Sequence, residues 1–329
     1  MIRVWFLEEK KRPPSDVGLF VILAFILIKF FLGGLRALCG KRFLMIRIGP
    51  AGWSYEDWEG IVYPAKKGPK FDPLSYLAEF FDTLELNNTF YRPPTPQMSK
   101  SWARRVQANT RFKFTAKLYR NFTHDRQART EADEGAFKGG LAPLMETQRL
   151  GALLLQFPYS FHNSEENRRY LQILSEKFQE YPLVLEVRHA SWDRASVYQF
   201  LRENRLGFCN IDQPKVSYSI GLTQNVTGPV GYLRLHGRNV KDWFREDAGR
   251  DSRYDYLYNP FELFELTERI RLIARAAEET YVITNNHYHG KAVCNALELK
   301  VRVEGKAQKI PAILIEHYPQ LKEIQEEGE

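Results

Sequence analysis

The residues best equipped for chemistry come in pairs two positions apart at the ends of short apolar runs. They are Glu85 with Asn87, Thr115 with Lys117, Glu186 with Arg188, Asn210 with Asp212 and Arg234 with His236. Side chains two apart on a strand share a face, so each pair is expected to point the same way. Gln156 and Asn285 are further polar residues at run ends. Glu85, Glu186 and Asp212 offer carboxylates for general acid–base work, and Lys117, Arg188 and Arg234 suit a phosphate or developing negative charge. His236 can move a proton near neutral pH. The most economical assignment makes Glu186 the base, oriented by Arg188, and His236 the acid. A divalent-metal variant would use Glu186, Asp212 and His236, because mixed carboxylate and imidazole sites suit Mn or Zn; the adjacent Arg188 and Arg234 oppose it.

The elements that must position these groups can be read from periodicity. Apolar runs recur at 45–49, 82–87, 111–117, 151–157, 183–188, 206–212, 231–236 and 280–285. Stretches with 3.6-residue apolar spacing lie between most of them, at 97–107, 136–149, 164–180, 195–204 and 261–279. Eight strands alternating with helices imply an α/β fold, a single (β/α)8 TIM-like barrel over residues 45–329, whose active sites form at the C-terminal strand ends. Residues 213–229 show no helical pattern, and 238–259 form a long polar and aromatic segment. In "TLELNNTFYRPPT", residues 83–95, Glu85 and Asn87 would face the mouth, Leu84 and Leu86 the helices, and Pro93 and Pro94 would stiffen the loop.

Aromatic residues are placed to line that mouth. "GWSYEDW" puts Trp53, Tyr55 and Trp58 in the first loop, Phe90 and Tyr91 follow the second strand, and Trp192 follows His189 after the fifth. Such rims suit sugars or bases, or simply pack under a loop. His124 either binds or caps a helix; His287 and His289 form either a metal pair or two exposed loop residues. Cys39, Cys209 and Cys294 lack zinc-finger or disulfide spacing, and no nucleotide-cofactor motif occurs.

The chain carries 47 Lys and Arg against 40 Asp and Glu, a net charge of +7. Residues 1–44 hold eight of those cations and three of the anions, so the remainder is only +2 and offers little support for a polyanion partner. Residues 17–35, "VGLFVILAFILIKFFLGGL", are a transmembrane candidate with one interruption at Lys29. Two readings of this extension stay open. It is either a single-pass anchor or upstream sequence before a true start at Met45, which would leave 45–329 cytoplasmic; a secretory signal fits its flanks less well.

The segments "GWSYEDW", "TLELNNTFYRPP", "FTAKLYRNFTH", "LGALLLQFP", "LEVRHASW", "YLRLHGR" and "ITNNHYHGKAVCNAL" together resemble the YecE-like family, domain of unknown function 72. The resemblance runs in order over residues 45–300 and implies a TIM barrel distantly similar to the sugar isomerase and endonuclease IV type. Glu85, Asn87, Tyr91, Lys117, Gln156, Glu186, Arg188, His189, Trp192, Arg234, His236, Gly237, Asn285 and Asn286 stand at its motif positions. It brings no activity. The expectation is therefore an enzyme, hydrolase or isomerase, acting by carboxylate and His chemistry on a sugar phosphate, a polyhydroxylated molecule or a nucleic-acid phosphodiester. The alternative is a non-catalytic barrel that binds nucleic acid or a nucleotide, stacking bases on Trp53, Tyr91, Trp192 and Trp243 and holding phosphate with Arg238, Arg245, Arg250 and Arg253. Either could be membrane-tethered if residues 1–44 are translated.

Overall fold

The computed structural model describes residues 44–243, 245 and 251–326. The transmembrane candidate at 17–35 lies outside them, and among the described residues no helix is long and apolar enough to cross a membrane.

Eight short strands form one parallel sheet: β1 (Met45–Pro50), β2 (Thr83–Leu86), β3 (Lys113–Lys117), β4 (Leu150–Gln156), β5 (Leu183–Glu186), β6 (Gly207–Asp212), β7 (Val230–Leu235) and β8 (Glu279–Thr284). Hydrogen-bonded neighbours run β1-β8-β7-β6-β5-β4-β3-β2. The two edges, β1 and β2, meet through one parallel bridge between Ala51 and Glu85, where Gly52 N–H donates to the Glu85 carbonyl at 3.0 Å. Closure depends on Gly49: a Cβ there would lie 2.0 Å from the Thr83 carbonyl oxygen. The strands are buried on both faces, which is why they read as apolar runs and not as alternating ones.

Helices α1 (Pro73–Leu77), α2 (Pro96–Arg105), α3 (Glu131–Glu146), α4 (Glu165–Lys177), α5 (Ala195–Glu203), α6 (Pro260–Ala276) and α7 (Lys291–Glu304) pack outside the sheet. Their starts are written locally. Asp72, Thr95 and Ser164 accept from the backbone N–H groups of Ser75, Met98 and Asn167, and Asn259 forms a capping box with Glu262 ahead of α6. Residues 213–229, between β6 and β7, contain no helix, as their pattern predicts. At the N-terminal strand ends, Glu279 is held by Arg47 (2.7 Å), Lys113 (2.9 Å) and Tyr281 (2.7 Å), closing the barrel away from the mouth.

One strand departs from the expected parity. On β6 the residues turned into the barrel are Cys209, whose Sγ lies 3.9 Å from Glu186 Oε2, and beyond the strand Gln213, which accepts from Arg188 at 2.7 Å. Asn210 and Asp212 face the other way. Asn210 Oδ1 accepts from Thr223 Oγ1 (2.6 Å) and Asn225 N–H (2.8 Å), and its Nδ2 donates to the Asn225 carbonyl (3.0 Å). The helix-free segment lies against this strand, and Asn210 fastens it there.

Candidate active site at the barrel mouth

Under the mouth sits a buried charge cluster. Arg234, from β7, donates to Glu85 Oε1 at 2.7 Å and to Glu186 Oε2 at 2.6 Å, and all three side chains are fully buried. Tyr232 completes Glu85's shell, donating to Oε2 at 3.0 Å from a hydroxyl that also meets Thr115 Oγ1 at 2.8 Å. Arg188 reaches Glu186 Oε1 at 2.5 Å, while Lys117 Nζ stands 3.5 Å from Glu85 Oε1. Two carboxylates therefore face three cations, and the floor carries one positive charge in excess. Arg234 Nε has no hydrogen-bond partner among the described residues.

The electrostatics set each group's protonation. Burial would raise the Glu186 carboxyl, but Arg234 and Arg188 outweigh it and hold its pKa well below the usual carboxylate range. His236 is driven well below its usual value by burial and by Arg188 and Arg234, against the pull of Glu186. Its Nε2 lies 3.2 Å from Arg188 Nη2 and 3.5 Å from Glu186 Oε1, and the depressed pKa keeps the ring neutral. Asn285 Nδ2 lies 3.0 Å from its Nδ1. Burial and the neighbouring Arg234 push the Lys117 ammonium down to about 8 despite Glu85.

Above this floor opens a cavity of about 540 Å³. Of the residues expected there, Trp53, Asn87, Tyr91, Lys117, Gln156, Arg188, Arg234, His236 and Asn285 line it. Glu85 and Glu186 lie beneath the lining. The "TLELNNTFYRPPT" stretch delivers its part through a turn: after Glu85, residues Asn88–Phe90 form a 3-10 turn, and Asn87, Asn88, Phe90 and Tyr91 reach the cavity. Thr89 Oγ1 donates to the Lys117 carbonyl at 2.7 Å and accepts from the Lys117 N–H at 3.1 Å, tying this turn to the end of β3. The buried Oδ1 atoms of Asn87 and Asn88 have no partner among the described residues.

Four expected site residues are placed elsewhere. Asp212 is turned outward by the β6 parity, and its carboxylate is taken by Arg238 Nε (2.9 Å) and the Tyr258 hydroxyl (2.6 Å). Burial raises its pKa although both partners oppose the shift. Among the described residues no group of three or more His, Cys, Asp or Glu side chains is placed to hold a metal. Trp192 is completely buried, stacked on Phe161 with its Nε1 donating to the Phe161 carbonyl at 2.7 Å. His189 stacks on His162, and Asn286 donates to the Tyr256 carbonyl and Asn295. Each of these three supports a loop instead of lining the cavity. His124 packs edge-on against Phe90.

Pattern reading missed Ser54, Asn88 and Tyr254 among the lining residues and undervalued His287. His287 is buried and stacks on Tyr55 with ring centroids 4.5 Å apart, whereas His289 is exposed, so the two do not act as a pair. Tyr254 comes from the long segment before α6 and lies against His287. Nothing in its local sequence distinguishes it from Tyr256 or Tyr258, which face other partners.

The comparisons with known proteins agree with this architecture. A DUF72 family protein from Thermotoga maritima MSB8 has a crystal structure that matches with a TM-score of 0.70 at 37% sequence identity, covering 79% of this chain and 99% of that one. One from Enterococcus faecalis V583 matches with a TM-score of 0.70 at 29% identity, covering 79% and 96%. The UPF0759 protein YunF of Bacillus subtilis strain 168 is 27% identical over 269 residues, 78% of this chain and 93% of its own length. The family model described as "Protein of unknown function DUF72" matches residues 47–321, and the chain belongs to that family.

Proposed function

We propose that the barrel mouth binds a phosphorylated or polyhydroxylated small molecule and acts on it by proton transfer. The observation that carries this reading is the excess positive charge of the floor, with Lys117 and Arg188 open to a cavity that Asn87 and Asn88 also line. Cations answer phosphate, and amide oxygens answer hydroxyl groups. Trp53, Tyr55, Phe90, Tyr91 and Tyr254 supply apolar faces for a sugar ring.

The roles differ from those the sequence suggests. A carboxylate held far below its usual pKa is a weak base, so Glu186 serves with Glu85 as fixed charge that orients Arg234 and Arg188. By the same reasoning His236, buried and held well below its usual value, is a weak base, and it serves as a neutral hydrogen-bonding group beside Arg188. Lys117, pushed down to about 8, is the acid poised near working pH. The nucleic-acid reading loses two of its contacts: Trp192 is buried, and Arg238 is paired with Asp212 and Glu262.

The test is thermal unfolding of the full chain against sugar phosphates, the same sugars without phosphate, and short oligonucleotides. A ligand that binds only the folded state raises its stability, by about 2.7 kcal/mol at one hundred times Kd. A shift from sugar phosphates that disappears in Arg188→Gln supports the reading. A shift from oligonucleotides alone, steeply reduced by salt, would sink it.

A further inference from the structure

Lys117 is placed unlike an ordinary ion-paired lysine. Its backbone is fixed on both sides by Thr89, and its side chain is 14% exposed at the cavity floor. Nζ makes no hydrogen bond among the described residues; its one charge contact is the 3.5 Å approach to Glu85 Oε1. That oxygen already accepts from Arg234 at 2.7 Å, and the other oxygen accepts from Tyr232 at 3.0 Å. Arg234 and Arg188 add two guanidinium charges nearby. A desolvated amine beside other cations, with a weakly committed counter-ion, is the arrangement that activates lysine as a nucleophile.

We propose that Lys117 forms an iminium with the aldehyde or ketone carbonyl of an open-chain hydroxylated or phosphorylated substrate. The proposal rests on the reading of the mouth as a site for such molecules and names the carbonyl as the group acted on. With a pKa of about 8, about a quarter of the side chain is neutral at pH 7.5, against roughly a thousandth for an ordinary lysine. The amine lone pair attacks the carbonyl carbon, a C–N bond forms, and the oxygen takes a proton to give a carbinolamine. Loss of that oxygen as water leaves C=N. Overall, ammonium and carbonyl become iminium and water with the charge unchanged, so Glu85 keeps its cationic neighbour throughout. The proton that the ammonium gives up passes to solvent in the open cavity, and a solvent proton leaves with the departing hydroxyl as water.

The experiment incubates the full chain with dihydroxyacetone phosphate, glucose 6-phosphate or pyruvate, each with sodium borohydride, which supplies the hydride that fixes an iminium as a secondary amine. Peptide mapping by mass spectrometry should then find the adduct on Lys117 ahead of every surface lysine. Lys117→Arg, checked by its thermal unfolding to be folded, should lose it. Label spread evenly over surface lysines, or none on Lys117 with all three probes, overturns the proposal. Thermal shift with glycerol 3-phosphate, which has no carbonyl, separates the two ideas. A shift without any adduct removes the nucleophile and leaves the binding site, whereas neither shift nor adduct removes both.

Discussion

The Arg234 guanidinium and the Glu186 carboxylate meet at 2.6 Å with neither side chain exposed, and Glu85 occupies the other side of the same guanidinium at 2.7 Å. Removing one partner of a buried pair leaves the other charged and unpaired, which costs about 3–5 kcal/mol, whereas replacing the whole group with neutral residues costs far less. Arg234→Met should therefore lose stability of that order in urea denaturation. The triple variant Arg234→Met, Glu85→Gln, Glu186→Gln should recover much of it. A single-variant loss under about 1 kcal/mol would mean that water reaches the cluster and screens it.

Two adjacent glycines on α3 should respond in opposite directions to the same change. Gly140 is buried, and a Cβ there would lie 2.0 Å from the Pro94 carbonyl oxygen, at the loop that the paired prolines stiffen. Gly140→Ala should destabilise by about 1–3 kcal/mol through overpacking. Gly139 is exposed with nothing within 4 Å of its would-be Cβ, so Gly139→Ala should stabilise by up to about 1 kcal/mol through helix propensity. Equal effects in thermal unfolding would contradict the contact between α3 and the Pro94 loop.

The barrel was legible because its strands are buried on both faces and so appear as apolar runs; every predicted strand lies within two residues of an observed one. Glu85, Glu186 and Arg234 were legible for a related reason, since a charge inside such a run has no exposed face to occupy. Asp212 was not. On β6 the polar parity points outward because residues 213–229 fasten to the strand through Asn210, and a two-residue period cannot say which of its faces is the inner one. Lys117's depressed pKa was likewise out of reach, since it arises first from burial in the closed barrel and then from Arg234 and Arg188, more than seventy positions away in the chain. Tyr254 reaches the cavity by the path of a long segment, which local pattern does not encode.

Cys209 and Cys294 should be inert in the folded protein. Burial and then Glu186 push the Cys209 thiol well above its usual value, and burial and Glu298 do the same for Cys294. Thiolate is the reactive form, so a maleimide should label neither until the chain is unfolded, as read by peptide mapping. Native labelling of Cys209 would mean that the barrel interior opens on the timescale of the experiment.

Lys117 gives the chain an alkaline signature of defined sign. Its ammonium titrates at about 8 in the folded state and near 10.4 when unfolded, so between those values the unfolded chain binds a proton that the folded one does not. Below about 8 both states are protonated, and the cost of burying the charge, beside Arg234 and Arg188, is fully present. Stability contributed by this group therefore rises with pH across the window, by about 1–3 kcal/mol over its full width. Glu186, held well below the usual carboxylate range, remains ionised throughout and adds no slope. The comparison belongs at pH 8 and 9.5, where the cysteines and tyrosines that begin to ionise in the unfolded chain do so equally in parent and variant. In urea denaturation at those two pH values, Lys117→Met should show a flatter dependence than the parent. Parallel dependences would mean that Lys117 titrates near its ordinary value, and the amine would then lack the neutral fraction that iminium formation requires.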